Sequence, residues 1–445
     1  VSACWLEADG DPAALETAMY GLVERLYPIC RSITGPGVRE TLAMLRELVP
    51  LEVHEVPSGT QAFDWTVPPE WTIHDAWIKD PQGRKVVDFR RSNLHVVSYS
   101  RPVHTRLSLG ALRSHLVSLP DRPSWIPYRT TYYDDAWGFC VAHETLEALP
   151  EGEYEVCIDA TLAPGHLTYG ELLLPGATMD EVLVSCHVCH PSLCNDNLSG
   201  IAVATYLARL VGSRPRRYSY RFLFVPGTIG SITWLSRNEA TVGRIRHGLV
   251  LTGVGDPGGF TYKRSRRGNA PIDRAAAHVL RHQEVPATLR DFSPYGYDER
   301  QYCSPGFDLP VGCLMRSPHG EYPEYHTSAD DLQFVRPRAL AESLAVAASI
   351  VAVLEGDRRY VNTSPKGEPR LGKRGIYRSM GGGLDTRSAE MALLWVLSFS
   401  DGRHTLLDIA DRSGLPFASV RRAADVLREH HLLRDVTAAD TGPRS

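Results

Sequence analysis

The stretch densest in chemistry-bearing side chains is VSCHVCHPSLCNDNLSG, residues 184–200, which sets His187 and His190 three apart with Asp196 six residues on. A divalent ion such as zinc takes imidazole nitrogens and carboxylate oxygens as donors from separate elements, so His187, His190 and Asp196 are candidate metal ligands. A plainer reading has Asp196 capping a helix that starts near Leu198, with Asn195 and Asn197 holding the loop through side-chain to backbone bonds. A second cluster, HGEYPEYHTSADDL at 319–332, offers His326 beside Tyr325, Asp330 and Asp331. Taken alone it also reads as a surface loop capped by Thr and Asp. Between the two lies DERQYCSPGFDLP, 298–310, with Glu299 and Arg300. Glu299 is a candidate acid/base, ligand-orienting or amine-binding group and Arg300 a candidate partner for a carboxylate, unless the two simply pair with each other. Asp256, in VLTGVGDPGG, either reaches the same site as a further ligand or opens a turn with Pro257 and Gly258.

The cysteines point elsewhere. Cys186 belongs to the strand leading into the loop, while Cys189 and Cys194 offer a soft ligand or a thiol. The Cys186-x-x-Cys189 spacing has no distant C-x-x-C partner, so a structural zinc ribbon is not expected. A Cys189–His190 nucleophile is disfavoured because adjacent residues of an extended segment point apart.

Bringing these clusters together requires an α/β core. EVLVSCHV and YSYRFLFVPG read as buried strands, SGIAVATYLARLV and GSITWLSRN as the helices that follow them, and RIRHGLVLTGVGD as a further strand. RAAAHVLRHQ continues as a helix, FDLPVGCLMR as a short strand, and RALAESLAVAASIVAVLEG as a long closing helix. Apolar strands alternating with helices imply a mostly parallel or mixed sheet covered on both faces, whose ligands gather at the carboxyl ends of strands. Ahead of this core, 12–49 reads as two amphipathic helices. Residues from about 60 to 165, with short runs such as NLHVVSYS, CVAHETL and YEVCIDA, read as a β module. After a Pro/Gly/Lys linker, TLLDIADRSG and PFASVRRAADVLREHHLL match a winged helix-turn-helix. Arg421, Arg422 and Arg428 of its last helix share that helix with Asp425 and Glu429, so a nucleic-acid contact is not expected.

Totals bound the class. The chain has 445 residues, 43% hydrophobic and 22% charged, with a formal net charge of −4, which suits a folded globule of two or three domains without a general affinity for nucleic acid. No run of about 18 apolar residues is evident, so no membrane span is expected. Nine cysteines, three crowded beside histidines, fit a reduced, cytoplasmic setting better than a disulfide framework, and the N-terminal residues lack a secretory pattern.

These motifs, in this order, give the 165–355 core a resemblance to the M28 zinc aminopeptidase superfamily. CHVCHPSLCNDNLSG, VPGTIGS, DERQYCSPGFDLPVG and EYHTSADDL make nearly the whole chain similar to bacterial aminopeptidase-like proteins with an inserted β-domain and a C-terminal winged helix. The resemblance implies an M28-like core from 1–60 and 165–358, an inserted β-rich domain at 61–164 and a winged helix at 370–440. It also implies one or two zinc ions held by His187, Asp196 and His326, with His190 from the closer group's His-x-x-His-Pro variant. Two departures matter. Where the family pattern has a glutamate in Pro-Glu-Thr-Ile-Gly-Ser, this chain has Gly227, and the aspartate of the next strand is replaced by Thr252.

Three functions follow as expectations. One is a metal-dependent hydrolase cleaving an amide of a small amino-acid conjugate or peptide in a specialised biosynthetic pathway, with Glu299 as acid/base or amine anchor, Arg300 meeting a carboxylate, and Tyr325 or Tyr302 stabilising developing charge. The second uses the same pocket for amide formation, acyl transfer or cyclisation, where a water-activating base is unwanted; Gly227 motivates it. The third is a non-catalytic binding or regulatory protein, motivated by the winged helix. The expected partners are a small molecule or short peptide and a second copy of the chain, with no membrane.

Overall fold

The computed structural model describes residues 11–376 and 386–437. They fall into two compact units, 11–270 with 287–344, and 271–286 with 345–376 and 386–437. Residues 1–10 of the expected core, and 377–385 and 438–440 of the expected winged helix, lie outside the described residues.

The first unit is built on eight strands. In chain order they are β1 (Glu52–Pro57), β2 (His166–Leu174), β3 (Glu181–His187), β4 (Ser219–Val225), β5 (Ile245–Leu251), β6 (Phe260–Lys263), β7 (Ala287–Arg290) and β8 (Val311–Met315). Across the sheet they lie β1-β2-β4-β3-β5-β8-β6-β7. The central strands β4, β3, β5 and β8 are mutually parallel. β1 and β2 join antiparallel on one side, and β6 returns antiparallel to β8 on the other, with β7 parallel to β6. The sequence explains the centre: EVLVSCH and SYRFLFV are nearly continuous apolar runs, and every residue of β3 is buried, as a parallel strand covered on both faces requires. It leaves β1, β2, β6 and β7 unassigned. β7 is exposed along its whole length, so no apolar pattern marks it.

Helices cover this sheet. After α1 (Pro12–Leu26) and α2 (Pro36–Arg46) come α3 (Gly200–Gly212) and α4 (Ile229–Asn238). α3 packs across β3, β4 and β5, α1 lies on α3, and α2 and α4 contact β2. α3 starts tightly against the loop before it. A Cβ on Gly200 would fall 2.3 Å from Asn197 Oδ1 and 2.6 Å from the Leu251 carbonyl, so only glycine admits the approach.

Between β1 and β2 the chain forms a four-stranded antiparallel sheet ordered 85–88, 70–79, 153–163, 103–108. YEVCIDA is part of it, but two other runs read as strands are not. NLHVVSYS becomes a 3₁₀ turn at Asn93–His95 followed by irregular chain, and CVAHETL gives only Phe139–Cys140 and a helical turn at His143–Glu147. The reason is pairing. The Val97 amide donates to Gly138 while Ser98 exchanges bonds with Arg129 and Thr131, so successive residues find different neighbours and no ladder propagates.

The second unit combines α5 (Pro271–Arg281), the end of α6 (Pro337–Gly356) and the tail helices α7 (Thr386–Phe399), α8 (Leu406–Ser413) and α9 (Phe417–Glu429), with a three-stranded antiparallel sheet of 401–405, 359–362 and 433–435. Thr405 and Asp408 close a capping box at the start of α8. His278 on α5 ties α8 to α9. Its Nε2 accepts from the Phe417 amide at 3.0 Å, so its Nδ1 carries the proton donated to Asp411 at 2.9 Å. The first turn of α9 is thereby fixed to α5 within this unit.

α6 corrects the expectation that no segment is long and apolar enough to cross a membrane. Its best 18-residue window has a mean hydropathy of 1.7, and 67% of that window is buried inside the protein, the pattern of a core helix. Interspersed Arg338, Glu342 and Ser residues disguise the run in the sequence.

Replacing His278 by alanine removes one acceptor and one donor from this junction. The amides at the start of α9 should lose protection by about 1–3 kcal/mol, the cost of an unsatisfied buried group, as read by hydrogen exchange on the full chain. Unchanged protection at 417–420 would contradict this role.

Candidate metal centre

The parallel strands end together, and His187 is the last residue of β3. Its imidazole is fixed from two sides. Tyr297 stacks on it at 4.2 Å and 11°, and the Asn197 amide approaches Nδ1 at 3.3 Å. Asp196 lies in the turn before α3. Its backbone amide donates to Asp330 Oδ2 at 3.0 Å, and the Asn195 amide donates to Oδ1 at 2.6 Å. Asp330, more than a hundred residues away in the chain, thus holds the turn that presents Asp196.

The Asp196 carboxylate is the meeting point. Oδ1 receives His187 Nε2 at 2.7 Å, and Oδ2 receives His326 Nε2 at 3.0 Å and the Tyr297 hydroxyl at 2.6 Å. His190 Nε2 lies 3.8 Å from Oδ2. Among the described residues, the donor atoms of His187, His190 and Asp196 fall within 4.8 Å of one another. His190 is placed by Arg31, whose Nε donates to its carbonyl at 2.8 Å. His326 adopts φ of 54°, a left-handed conformation that is uncommon outside glycine. It is held there by backbone bonds to the segment preceding β2, with the Tyr128 amide on its carbonyl at 2.8 Å and the Ser328 amide on Ile126 at 2.8 Å. Tyr128 also sets its ring edge against both His190 and His326.

Burial and charge act in opposite directions here. Burial alone would raise the Asp196 carboxyl, but His190, His187 and His326 hold it well below the usual range. Burial lowers His190 to about 3, leaving a neutral imidazole with a lone pair, the form a metal takes. Burial pushes the Tyr297 and Tyr325 phenols up, so both keep their protons. Tyr325 stacks on His326 at 3.9 Å, and its hydroxyl is 3.1 Å from that of Tyr297. A narrow recess of about 10 Å³, room for about one water, lies beside Asp196 and is lined by Thr252, Tyr297, His319, Tyr322 and Tyr325.

The other candidates are not brought to this group. Asp256 spends its carboxylate on the Asn195 amide group, the Ser317 hydroxyl and the backbone of Ser317 and Gly258. It supports Asn195 rather than facing the histidines. Glu299 is fully buried in an ion pair with Lys263. The Nε of Arg300 is buried with no hydrogen-bond partner among the described residues. Tyr302 is in the core, its hydroxyl 2.9 Å from Ser185. Tyr297 is the residue that sequence reasoning missed: an aromatic in a loop has no spacing signal, and only its place just before Asp298-Glu299 hinted at it. Asp330 was visible as an acid, but its partners were not.

Gly227 borders the centre. Its amide donates to Cys189 Sγ at 3.1 Å, and a Cβ there would lie 3.2 Å from that sulfur and 3.6 Å from His187 Cβ. Its neighbour Thr228 donates its amide to Asp298 Oδ1 at 2.8 Å, as does the Ser231 hydroxyl. Asp298 Oδ2 is buried without a hydrogen-bond partner among the described residues, and burial raises this carboxyl.

Three comparisons bear on this arrangement. Residues 20–357 match a family model described as a domain of unknown function, DUF4910, and 358–435 match a winged helix-turn-helix. The chain belongs to the DUF4910 family. A relative from Clostridium acetobutylicum, named for polysaccharide biosynthesis and an aminopeptidase-like domain, is 50% identical over 416 residues, 94% of this chain and 96% of the relative. A crystal structure of a protein from the same organism that is named, without a shown activity, as a peptidase superposes with a TM-score of 0.91 at 47% identity, covering 96% of this chain and 97% of that one. BSAP, a zinc aminopeptidase from Bacillus subtilis, has a TM-score of 0.57 at 14% identity over 77% of this chain and 95% of its own. The fold of this DUF4910 protein is thus that of the M28 zinc peptidases, with a winged-helix tail.

Cys189 Sγ lies 3.5 Å from His190 Nδ1, so the two side chains do not point apart as expected, and the thiol reading turns on protonation instead. Burial pushes the Cys189 thiol up to about 12, so it remains protonated near neutrality. In the native protein at pH 8, Cys189 should resist iodoacetamide and react only on unfolding, as followed by peptide mass spectrometry. Rapid native alkylation of Cys189 would reopen the thiol reading.

Proposed function

We propose that this DUF4910 protein is a zinc-dependent enzyme that cleaves the amide bond of a small amino-acid conjugate, in a pathway of polysaccharide assembly. The observation that carries the reading is the convergence of three imidazoles and one carboxylate on a single buried point. That donor set suits a four-coordinate zinc. A single ion is favoured because positions 227 and 252 carry no carboxylate. The pathway rests on the name of the Clostridium acetobutylicum relative.

His187, His190, Asp196 and His326 would hold the ion, which supplies Lewis acidity toward a carbonyl oxygen. The Tyr325 hydroxyl lies at the edge of the adjoining recess, suited to donate to charge developing on that oxygen, while the Tyr297 proton is held by Asp196. Asp298 is the carboxylate brought to the Gly227–Thr228 peptide, and its unpartnered oxygen is the place left for the proton of an attacking water. Glu299, paired with Lys263, is not assigned that role.

A second reading is transfer of the acyl group to an amine rather than to water. Gly227 favours it, since loss of a positioned base typically costs hydrolysis on the order of 10²–10⁴-fold. Supplying an aminoacyl amide with an acceptor amine, and weighing the products, separates the two: condensed product alone would overturn hydrolysis.

Metal content tests the site directly. His326→Ala should lower both bound zinc, measured by elemental analysis, and turnover; wild-type levels of both would remove His326 from the centre. Gly227→Glu needs the Cys189 sulfur, 3.2 Å from the new Cβ, to yield by a few tenths of an ångström, while His187 Cβ at 3.6 Å is in ordinary contact. It should raise hydrolysis roughly 10²-fold or more. No rise would mean that position 227 is not where a base is missing.

A further inference from the structure

Tyr297 reaches Asp196 from a segment with no regular secondary structure, 291–298, so something else must hold it. Beneath this loop lies a buried ion pair. Lys263, at the end of β6, places Nζ 2.5 Å from Glu299 Oε1, with side chains 6% and 0% exposed. The same ammonium donates to the carbonyl of Tyr295 at 2.7 Å and approaches that of Ser293 at 3.3 Å. One charge therefore clamps both sides of Tyr297: the backbone at 293–295 before it, and the helical turn that starts at Glu299 after it. Gly296 passes directly over the pair with φ of 155°, and a Cβ there would fall 2.2 Å from Glu299 Oε1 and 2.5 Å from Lys263 Nζ. Two residues then follow with their side chains committed: Tyr297 stacks on His187 and donates to Asp196, and Asp298 receives Thr228 and Ser231.

We infer that Lys263 and Glu299 are positioning residues for the metal centre, a strut that presents the Tyr297 phenol to the Asp196 carboxylate. The inference rests on the metal-binding reading given above. A hydrogen bond to a ligating carboxylate orients it and tunes its basicity, and loss of such outer partners typically costs about 10–100-fold in metal affinity. The strut acts only through Tyr297, which separates it from an ion pair that merely stabilises the fold.

A double-mutant cycle on the zinc dissociation constant of the full chain, read by competition with a chelating dye, tests this. Replacing both partners, Lys263→Met with Glu299→Met, avoids leaving a lone buried charge. Tyr297→Phe should weaken zinc by about tenfold or more. The paired substitution should weaken it by a similar factor, and all three together by no more than the larger single effect. Should the paired variant fail to fold, as judged by its melting curve, Gly296→Ala keeps both charges and displaces the loop; it should weaken zinc in the same direction. Zinc binding unchanged in the paired variant, or in Gly296→Ala, would overturn the inference, as would a loss that multiplies with that of Tyr297→Phe. A wild-type chain that binds no zinc would overturn the metal-binding reading along with it, whereas tight wild-type binding with an indifferent strut overturns the strut alone.

Discussion

Burying the Asp196 carboxylate is the constraint around which the first unit is organised. An ionised carboxylate taken out of water costs several kcal/mol unless its oxygens are matched by donors and charge. Here Oδ1 meets His187, and Oδ2 meets His326 and Tyr297. Those groups come from the end of β3, the late HTSAD loop and the loop before Glu299, so satisfying one side chain requires three distant parts of the chain. The imidazoles and the carboxylate of this set, with His190 added, are donor types that a divalent ion takes. The need to compensate the buried charge and the capacity to hold a metal are one arrangement.

A second buried carboxylate stands behind the first. Burial raises Asp330, which accepts the amides of Asn195 and Asp196, while the histidines depress Asp196. Two neighbouring acids are thus driven apart by their surroundings, one toward backbone support and the other toward ligation. Asp256 also supports the loop, taking the Asn195 side-chain amide and the backbone amides of Gly258 and Ser317. The carboxylates around the centre divide into those that face it and those that hold its backbone, and residue type alone does not say which is which.

Much of this was legible beforehand. The parallel strands were visible because buried parallel strands are continuous apolar runs, and His187 could be placed at a strand end for the same reason. His190, Asp196 and His326 were visible as ligand types in short motifs. Less legible were Glu299 and Asp256, whose types are right for catalysis but whose charges are taken by Lys263 and by the Asn195 and Ser317 donors. NLHVVSYS alternates like a strand, yet whether it forms one depends on a neighbour to pair with, and its successive residues bond to different segments.

The sequence by itself determined the α/β core, the winged-helix tail, the histidine and aspartate set, and the absence of a glutamate at Gly227, because periodicity and side-chain chemistry are local properties. Only the tertiary structure decided which acids face the histidines, that Tyr297 completes the Asp196 shell, and that Glu299 lies in a strut beneath it. Those outcomes depend on contacts between residues tens to more than a hundred positions apart in the chain, or on which donor reaches an oxygen first. No spacing records them, since a buried charge is matched by whatever the fold brings near.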